Sequence, residues 1–272
     1  MRHDDPQVAV LKTLDMEAHL GDPSRKQAYV TSMFTVIAPR YDDFTRCFSY
    51  GLDRGWKEHL ITALASRLPA QALVADLACG TGDLAFHLSR VLPAATIQGC
   101  DVTPQMVIQA QASARAGGKT PTFVVGDMMH LPYADGSLDG IIIGYGVRNV
   151  PNPQAALDEC ARVLRPGGVL GCLDFFRPER AWWRAIFLGY LSVMGSLYGW
   201  WWHGHADVYR YIARSIDHFV SLRAWRGMLS SRGFVSCDER SYLGGGVATQ
   251  IMRKGTAPAP ASPSHSASTP AP

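Results

Sequence analysis

Between Leu73 and Phe175, short apolar, β-branched runs alternate with stretches whose apolar residues recur at helical spacing, the pattern of a parallel sheet wound with helices. Leu73–Leu77, Thr96–Cys100, Thr122–Val125, Leu138–Ile143 and Val169–Phe175 predict five strands. Helices fit between them over Leu84–Val91, Pro104–Arg115 and Pro153–Leu164, with Thr103 as cap and Pro104 at the first position of the second. Gly167-Gly168 is expected to end the third and turn the chain into the fifth strand. Arg25–Ala38 and Trp56–Leu68 read as helices before the sheet, and segments near Val208–Ile216 and Leu222–Ser231 as helices after it. Phe234–Ser241 and Val247–Arg253, on either side of Gly244-Gly245-Gly246, read as an antiparallel hairpin. The class expected is α/β: a doubly wound, mostly parallel seven-stranded sheet closed by that hairpin.

The segment Ala185–Trp202, AIFLGYLSVMGSLYGWWW, carries no charge over eighteen residues. A membrane span, a buried core helix and a lid all share that pattern. Three glycines, two serines and the preceding Arg184 weaken insertion, while Trp182, Trp183, Trp200, Trp201 and Trp202 suit a bilayer interface. We read residues 182–232 as a helical lid over a substrate pocket that also touches the bilayer. Residues 1–24 form an N-terminal extension and 25–254 the main domain, and 255–272, rich in Pro, Ala and Ser, is expected to be a disordered tail.

Composition narrows the partners. Twenty-six basic and 23 acidic residues leave a net charge of +3 without a basic block, so nucleic acid is not expected. The six cysteines stand far apart with no C-x-x-C pair, which argues for small buried hydrophobes in a reducing cytoplasm and against a metal. MRHDDPQ, at the start, lacks the apolar stretch of a secretory signal.

The densest signal is Leu73-Val-Ala-Asp-Leu-Ala-Cys-Gly-Thr-Gly-Asp-Leu-Ala85, a strand, a glycine turn and a helix start. Gly80 and Gly82 let backbone approach a nucleotide closely. Gly80-x-Gly82-x-x-Ala85 also satisfies the loose dinucleotide fingerprint, so alone it does not separate NAD from S-adenosylmethionine. Acids at the strand ends sharpen it. Asp76 precedes Gly80 by four residues in the D-x-x-x-G-x-G pattern that methyltransferases use at the methionine end of the cofactor. Asp101 is placed to accept both ribose hydroxyls, and Asp127, followed by Met128, sits where related folds hold adenine. Each acid taken singly could also be a cap or a turn residue.

Several phrases resemble, in order, the ubiquinone/menaquinone biosynthesis C-methyltransferases. They are Ile37-Ala-Pro-Arg-Tyr-Asp42, Ser49-Tyr-Gly-Leu-Asp-Arg-Gly-Trp-Lys57, Asp76-Leu-Ala-Cys-Gly-Thr-Gly-Asp-Leu84, Gly144-Tyr-Gly-Val-Arg-Asn-Val150 and Val163-Leu-Arg-Pro-Gly-Gly168. The likeness runs from about Phe34 to Arg253. It implies a class I, Rossmann-like methyltransferase using S-adenosylmethionine, with Thr81, Asp101, the Asp127-Met128 pair and Gly144 touching the cofactor and Arg148 and Asn149 beside a quinol ring. The family often has Asn where Asp127 stands and Ser where Gly144 stands, and Asp43-Phe-Thr departs from its usual asparagine-containing phrase.

Carbon methylation needs a ring carbon made nucleophilic by loss or sharing of a phenolic proton. Arg148 and Asn149 suit the phenolic oxygen, though Arg148 could equally be an ion-pair member and Asn149 a turn residue before Pro151. His130, His203 and His205 are candidate bases, and Tyr41, Tyr145 and Trp200 candidate ring contacts. A prenylated quinol, a membrane surface and a second copy of the chain are the partners considered, with a cytoplasmic site at the inner face of the membrane. Two other classes stay open: a nicotinamide oxidoreductase, which leaves Asp76 unexplained, and a non-catalytic quinone-binding subunit, for which Asp76, Asp101 and Arg148 are unnecessary. Methyltransferases of sterols, tocopherol precursors or small amines are the rivals within the enzyme class.

Overall fold

The computed structural model describes residues 16–20, 22–38, 49, 51–117, 121–203 and 207–256. Tyr41, His205 and residues 257–272 lie outside the described residues, as does most of the extension. Among the described residues the first helices are α1 (Met16–Leu20) and α2 (Pro23–Ile37), the latter capped by Asp22 through Ser24 N–H. α3 (Leu52–Ala65) leads into the alternation β1 (Leu73–Leu77), α4 (Asp83–Val91), β2 (Thr96–Asp101), α5 (Pro104–Gly117), β3 (Thr122–Val125), β4 (Leu138–Gly144), α6 (Pro153–Val163) and β5 (Leu164–Phe175). Three helices follow, α7 (Ala181–His203), α8 (Asp207–Asp217) and α9 (Leu222–Ser230), then the hairpin β6 (Phe234–Tyr242) and β7 (Val247–Lys254).

The seven strands lie in the order β3-β2-β1-β4-β5-β7-β6, all parallel except β7, which runs antiparallel to both β5 and β6. The expected class is therefore observed. The order reverses between β1 and β4, and in doubly wound sheets such a switch point opens a crevice at the carboxyl ends of the strands.

Strand alternation decides which side chain goes to which face. Ala75, Leu77, Ile141 and Ile143 face a core completed by Leu157 and Cys160 of α6 and Trp225 and Leu229 of α9. Val74 and Ile142 face the other, completed by Leu60 and Leu64 of α3, Leu84 and Leu88 of α4 and Val107 of α5. A third cluster lies outside the sheet layers. In it Tyr29 and Met33 of α2 meet Met106 of α5, Phe187 and Leu191 of α7, and Tyr209 and Tyr211 of α8.

Two boundaries differ from expectation. α6 ends at Val163 and Leu164 already pairs with Leu138, so Gly167 (φ 77°) sits in an irregularity inside β5 and does not end the helix. The charge-free segment lies within one 23-residue helix, and no described helix is long and apolar enough to cross a membrane.

Gly195 of α7 faces the backbone of α8, where an added Cβ would stand 2.7 Å from the Tyr209 carbonyl oxygen. Gly195→Val should force the two helices apart at a cost of about 1–3 kcal/mol. Hydrogen exchange is the measurement: faster exchange in α8 with unchanged strands is expected, and unchanged α8 exchange would rule out this contact.

Candidate active site

At the switch point β1 delivers Asp76, β2 Asp101 and β4 Gly144, all at their carboxyl ends. The turn after β1 needs left-handed backbone at Ala78 (φ 53°), Gly80 (φ 54°) and Gly82 (φ 91°). At Gly82 a Cβ would also come within 2.7 Å of the Phe123 ring, so this glycine is fixed by its surroundings as well as by its backbone. The tight turn aims the start of α4 back at the strand, and Ala85 N–H donates to Asp76 Oδ2 at 3.0 Å.

Two neighbouring cavities open here. One, of about 410 Å³, is lined by Lys57, Asp76, Thr81, Asp83 and Leu84 among others. The second, of about 680 Å³, is lined by Asp101, Asp127, Met128 and Asn149 on its polar side and by Val30, Phe34, Met106 and Val150 on its apolar side. Ala78, Gly80, Gly144 and Tyr145 line both, so the two adjoin.

The acids are not alike. Asp76 is buried, and its Oδ1 has no hydrogen-bond partner among the described residues. Burial pushes its carboxyl well above the usual carboxylate range; the Ala85 bond opposes this, and Asp101 and Asp83 add to it. Asp101 accepts from Gly80 N–H at 2.9 Å and from Thr103 N–H at 2.8 Å, which partly offsets the upward push of burial. Asp127 accepts from Met129 N–H at 2.8 Å and from Gln27 Nε2 of α2 at 3.3 Å. A buried carboxylate with an open acceptor fits a ligand that brings a cation.

The turn after β4 forms the shared wall. Tyr145 has φ 58°, unusual for a residue with a side chain. Its N–H donates to Leu173 O at 2.7 Å, and its carbonyl accepts from Arg148 Nη1 at 2.7 Å and Asn149 Nδ2 at 3.1 Å. Arg148 is 4% exposed and pairs with the fully buried Asp174 at 2.8 Å, so its guanidinium faces β5 and does not line either cavity. Asn149 does line the larger one. Its Oδ1 accepts from Tyr211 O–H at 2.9 Å, which fixes the amide with its nitrogen toward Tyr145 O. Lys26 of α2 donates to the carbonyls of Arg148 (2.8 Å) and Val150 (3.0 Å). Burial first, and Arg148 second, pull that ammonium down to about 8, with Asp174 opposing.

Of the residues singled out from sequence, Asp76, Gly80, Thr81, Asp101, Asp127, Met128, Gly144, Tyr145 and Asn149 line the cavities. Gly82 shapes the turn behind them, and Arg148 sits beneath. Trp200 is not brought there, standing 70% exposed on α7. Among the described residues no histidine lines either cavity, and the His130 side chain is 83% exposed beside Asp127. Sequence reading missed Lys57, Gln27 and Tyr211. Among the described residues Lys57 is the one cation lining either cavity, and it pairs with Asp83 at 2.8 Å and Asp53 at 3.0 Å. Burial lowers its ammonium pKa, but the two carboxylates outweigh burial and the net shift is upward. The phrase ending in Lys57 was legible, but nothing in it tied that lysine to Asp76.

A doubly wound sheet with this strand order and a polar cleft at its switch point defines a class I methyltransferase fold. A solved S-adenosylmethionine-dependent methyltransferase from Methanosarcina mazei shares it at a TM-score of 0.54, with 19% identity over 71% of this chain and 97% of that one. The model of the ubiE/COQ5 methyltransferase family matches residues 23–254, and the chain belongs to that family. It is 36% identical to a demethylmenaquinone methyltransferase of Thermus thermophilus over 74% of this chain and 91% of that one. It is 34% identical to the ubiquinone/menaquinone biosynthesis C-methyltransferase UbiE of Bartonella tribocorum, covering 82% and 87%. The chain is thus a methyltransferase, with S-adenosylmethionine as methyl donor.

The raised Asp76 pKa fixes the sign of a stability effect. Between the unfolded value, about 3.9, and the raised folded value, the native state binds the extra proton, so its stability falls as pH rises through that window. Asp76→Asn should therefore stabilise the ligand-free protein at pH 8 by about 1–3 kcal/mol, with no gain below pH 4. Denaturant melts at the two pH values check this; a less stable variant at pH 8 would show that the carboxylate is compensated.

Proposed function

We propose that the chain methylates a ring carbon of a prenylated quinol precursor, of demethylmenaquinol or demethoxyubiquinol type, in respiratory quinone biosynthesis. The observation that carries this is the pair of adjoining cavities, one polar with an uncompensated buried carboxylate and the other walled by Val30, Phe34, Met106 and Val150. The names of the relatives point the same way. Residues 25–254 are the catalytic unit in this reading, with 182–232 as its lid, and contact with a membrane surface follows from a lipid substrate.

Bound S-adenosylmethionine supplies an electrophilic methyl on a sulfonium. Asp76 would hold its ammonium, Lys57 its carboxylate, Asp101 the ribose hydroxyls, and Asp127 with Met128 the adenine; Gly80, Thr81 and Gly144 would line its path. Asn149 keeps one N–H free of the bonds described above, and that donor can stabilise charge on a phenolic oxygen. Tyr145 would form the wall against the ring. Arg148 enters as a positioning residue, because its guanidinium holds the Tyr145 carbonyl and thereby the Asn149 amide. Apolar walls keep water from the sulfonium, as in-line transfer to carbon requires.

Calorimetry with S-adenosylhomocysteine should show binding, and NAD none. Asp101→Ala is expected to weaken that binding by about 1.5–3 kcal/mol. Lys57→Met should weaken S-adenosylhomocysteine but spare decarboxylated S-adenosylmethionine, which lacks the carboxylate. Equal losses on both ligands would remove Lys57 from that role, and unchanged affinity in Asp101→Ala would remove Asp101.

Arg148→Ala leaves the buried Asp174 carboxyl without its guanidinium partner, at a cost of about 3–5 kcal/mol. Arg148→Met combined with Asp174→Leu should recover much of that stability while methyl transfer to a short-tailed demethylmenaquinol stays low and donor affinity is kept. Arg148→Lys should restore turnover in part. A stable double variant with wild-type turnover would make the pair a fold element alone.

A further inference from the structure

α7 is amphipathic in an unusual sense. Phe187 and Leu191 are buried in the cluster beside the larger cavity, yet the exposed positions are Ala181, Trp182, Ala185, Ile186, Gly189, Tyr190, Val193, Leu197, Trp200 and Trp201, without one charge. The large ones recur every three or four residues, so they form one stripe along about 28 Å of helix. Individual exposure is high: Trp182 63%, Val193 60%, Leu197 56%, Trp201 71%. Contiguous apolar surface of this extent marks an interaction site.

The stripe does not end in neutral surface. At its first turn Trp182 and Trp183 line an open cleft with Arg177, Arg180, Arg223 and Arg226, and among the described residues Glu179 is its one acid. Arg226 is committed to Glu239 and Glu179 accepts from Ser221 Oγ at 3.1 Å. Arg177, Arg180 and Arg223 are exposed and make no ion pair among the described residues. Trp183 is itself anchored, its indole N–H donating to Leu243 O at 2.8 Å, so the cleft wall is fixed. Trp182 belongs to both features: it opens the apolar stripe and lines the cationic cleft.

An apolar face of that length beside unneutralised arginines has the complementarity of an anionic bilayer, acyl region against the stripe and phosphate headgroups against the cleft. We propose that α7 lies in the plane of an anionic membrane, with the cleft formed by Arg177, Arg180 and Arg223 holding a phospholipid headgroup. This rests on the reading of membrane contact given above and names the lipid class that the contact selects. Tryptophans at both ends of the stripe suit the headgroup level, and the arginine side chains carry the charge that a neutral lipid would not recruit.

Flotation of the full chain with vesicles of phosphatidylcholine alone, and of phosphatidylcholine mixed with phosphatidylglycerol, tests this. Wild type is expected to partition at least tenfold more strongly onto the anionic vesicles, and 0.5 M salt should remove most of the difference. Arg177→Ser, Arg180→Ser and Arg223→Ser together should lower anionic partitioning about 10- to 100-fold and leave the weak neutral partitioning and S-adenosylhomocysteine affinity unchanged. Ile186→Ser with Val193→Ser and Leu197→Ser should abolish both. Equal partitioning of wild type onto the two vesicles overturns the headgroup site while leaving membrane contact standing. Failure to bind either vesicle, with a dimer that the stripe variant dissolves, assigns the face to a second copy and overturns the proposal. Quinol methylation measured in detergent-free solution on a short-tailed substrate reads the enzymatic assignment separately.

Discussion

The turn from Tyr145 to Asn149 is the point on which the sheet, helices α2 and α8 and the cavities all depend. Its strain is local, a residue with a side chain held at φ 58°, and its restraint is long-range. Asp174 on the neighbouring strand fixes Arg148, Arg148 and Asn149 fix the Tyr145 carbonyl, Lys26 ties α2 to the same turn and Tyr211 ties α8. A guanidinium and a carboxylate with almost no exposure stabilise little in net terms, because desolvation cancels most of their attraction. What they contribute is geometry, since removing either leaves a charge the core cannot accommodate.

The sheet was legible because parallel strands buried on both faces read as continuous β-branched runs, and five of these fall within one or two residues of the observed strands except at the start of β5. That miss has a cause. Gly167-Gly168 is a strong stop in sequence, but Leu164 pairs with Leu138 first and the glycines are absorbed as an irregularity. The wall of the smaller cavity was legible too, because motifs at strand ends stay local: Asp76, Gly80 and Thr81 lie within six residues. The partners of Arg148 were not. Asp174 lies 26 residues away and Tyr211 lies 62 residues beyond Asn149, and no spacing rule links positions joined only by tertiary packing. The same reason hid Lys57, which lines one cavity with Asp76 only once α3 packs against α4 and β5.

The small cavity sets the stability of the fold against its use. Asp76 is buried in it, Asp101 in the adjoining cavity adds to the cost of ionising it, and Lys57 pairs with Asp53 and Asp83. A protein selected for stability alone would place an amide or an apolar residue at Asp76. Keeping the carboxylate leaves an acceptor waiting for a cation, so ligand binding and folding are linked through one side chain. Lys26 is a milder case of the same economy, a half-buried ammonium that donates to two carbonyls and is brought down to about 8 by burial first and by the neighbouring Arg148 second.

α7 joins the two ends of the functional argument. Its inner residues Phe187 and Leu191 share a cluster with Tyr29, Met106 and Tyr211, and Met106 lines the larger cavity while Tyr211 holds Asn149. Its outer residues form the apolar stripe. Anything that shifts the helix from outside is therefore felt through one layer of side chains at the cavity wall, since packed cores transmit displacement and do not absorb it. The proposed substrate, with a ring that would reach Asn149 and a tail that favours an apolar medium, would use both sides of the helix: an apolar outer surface, and a wall behind it that excludes water from the reacting carbon.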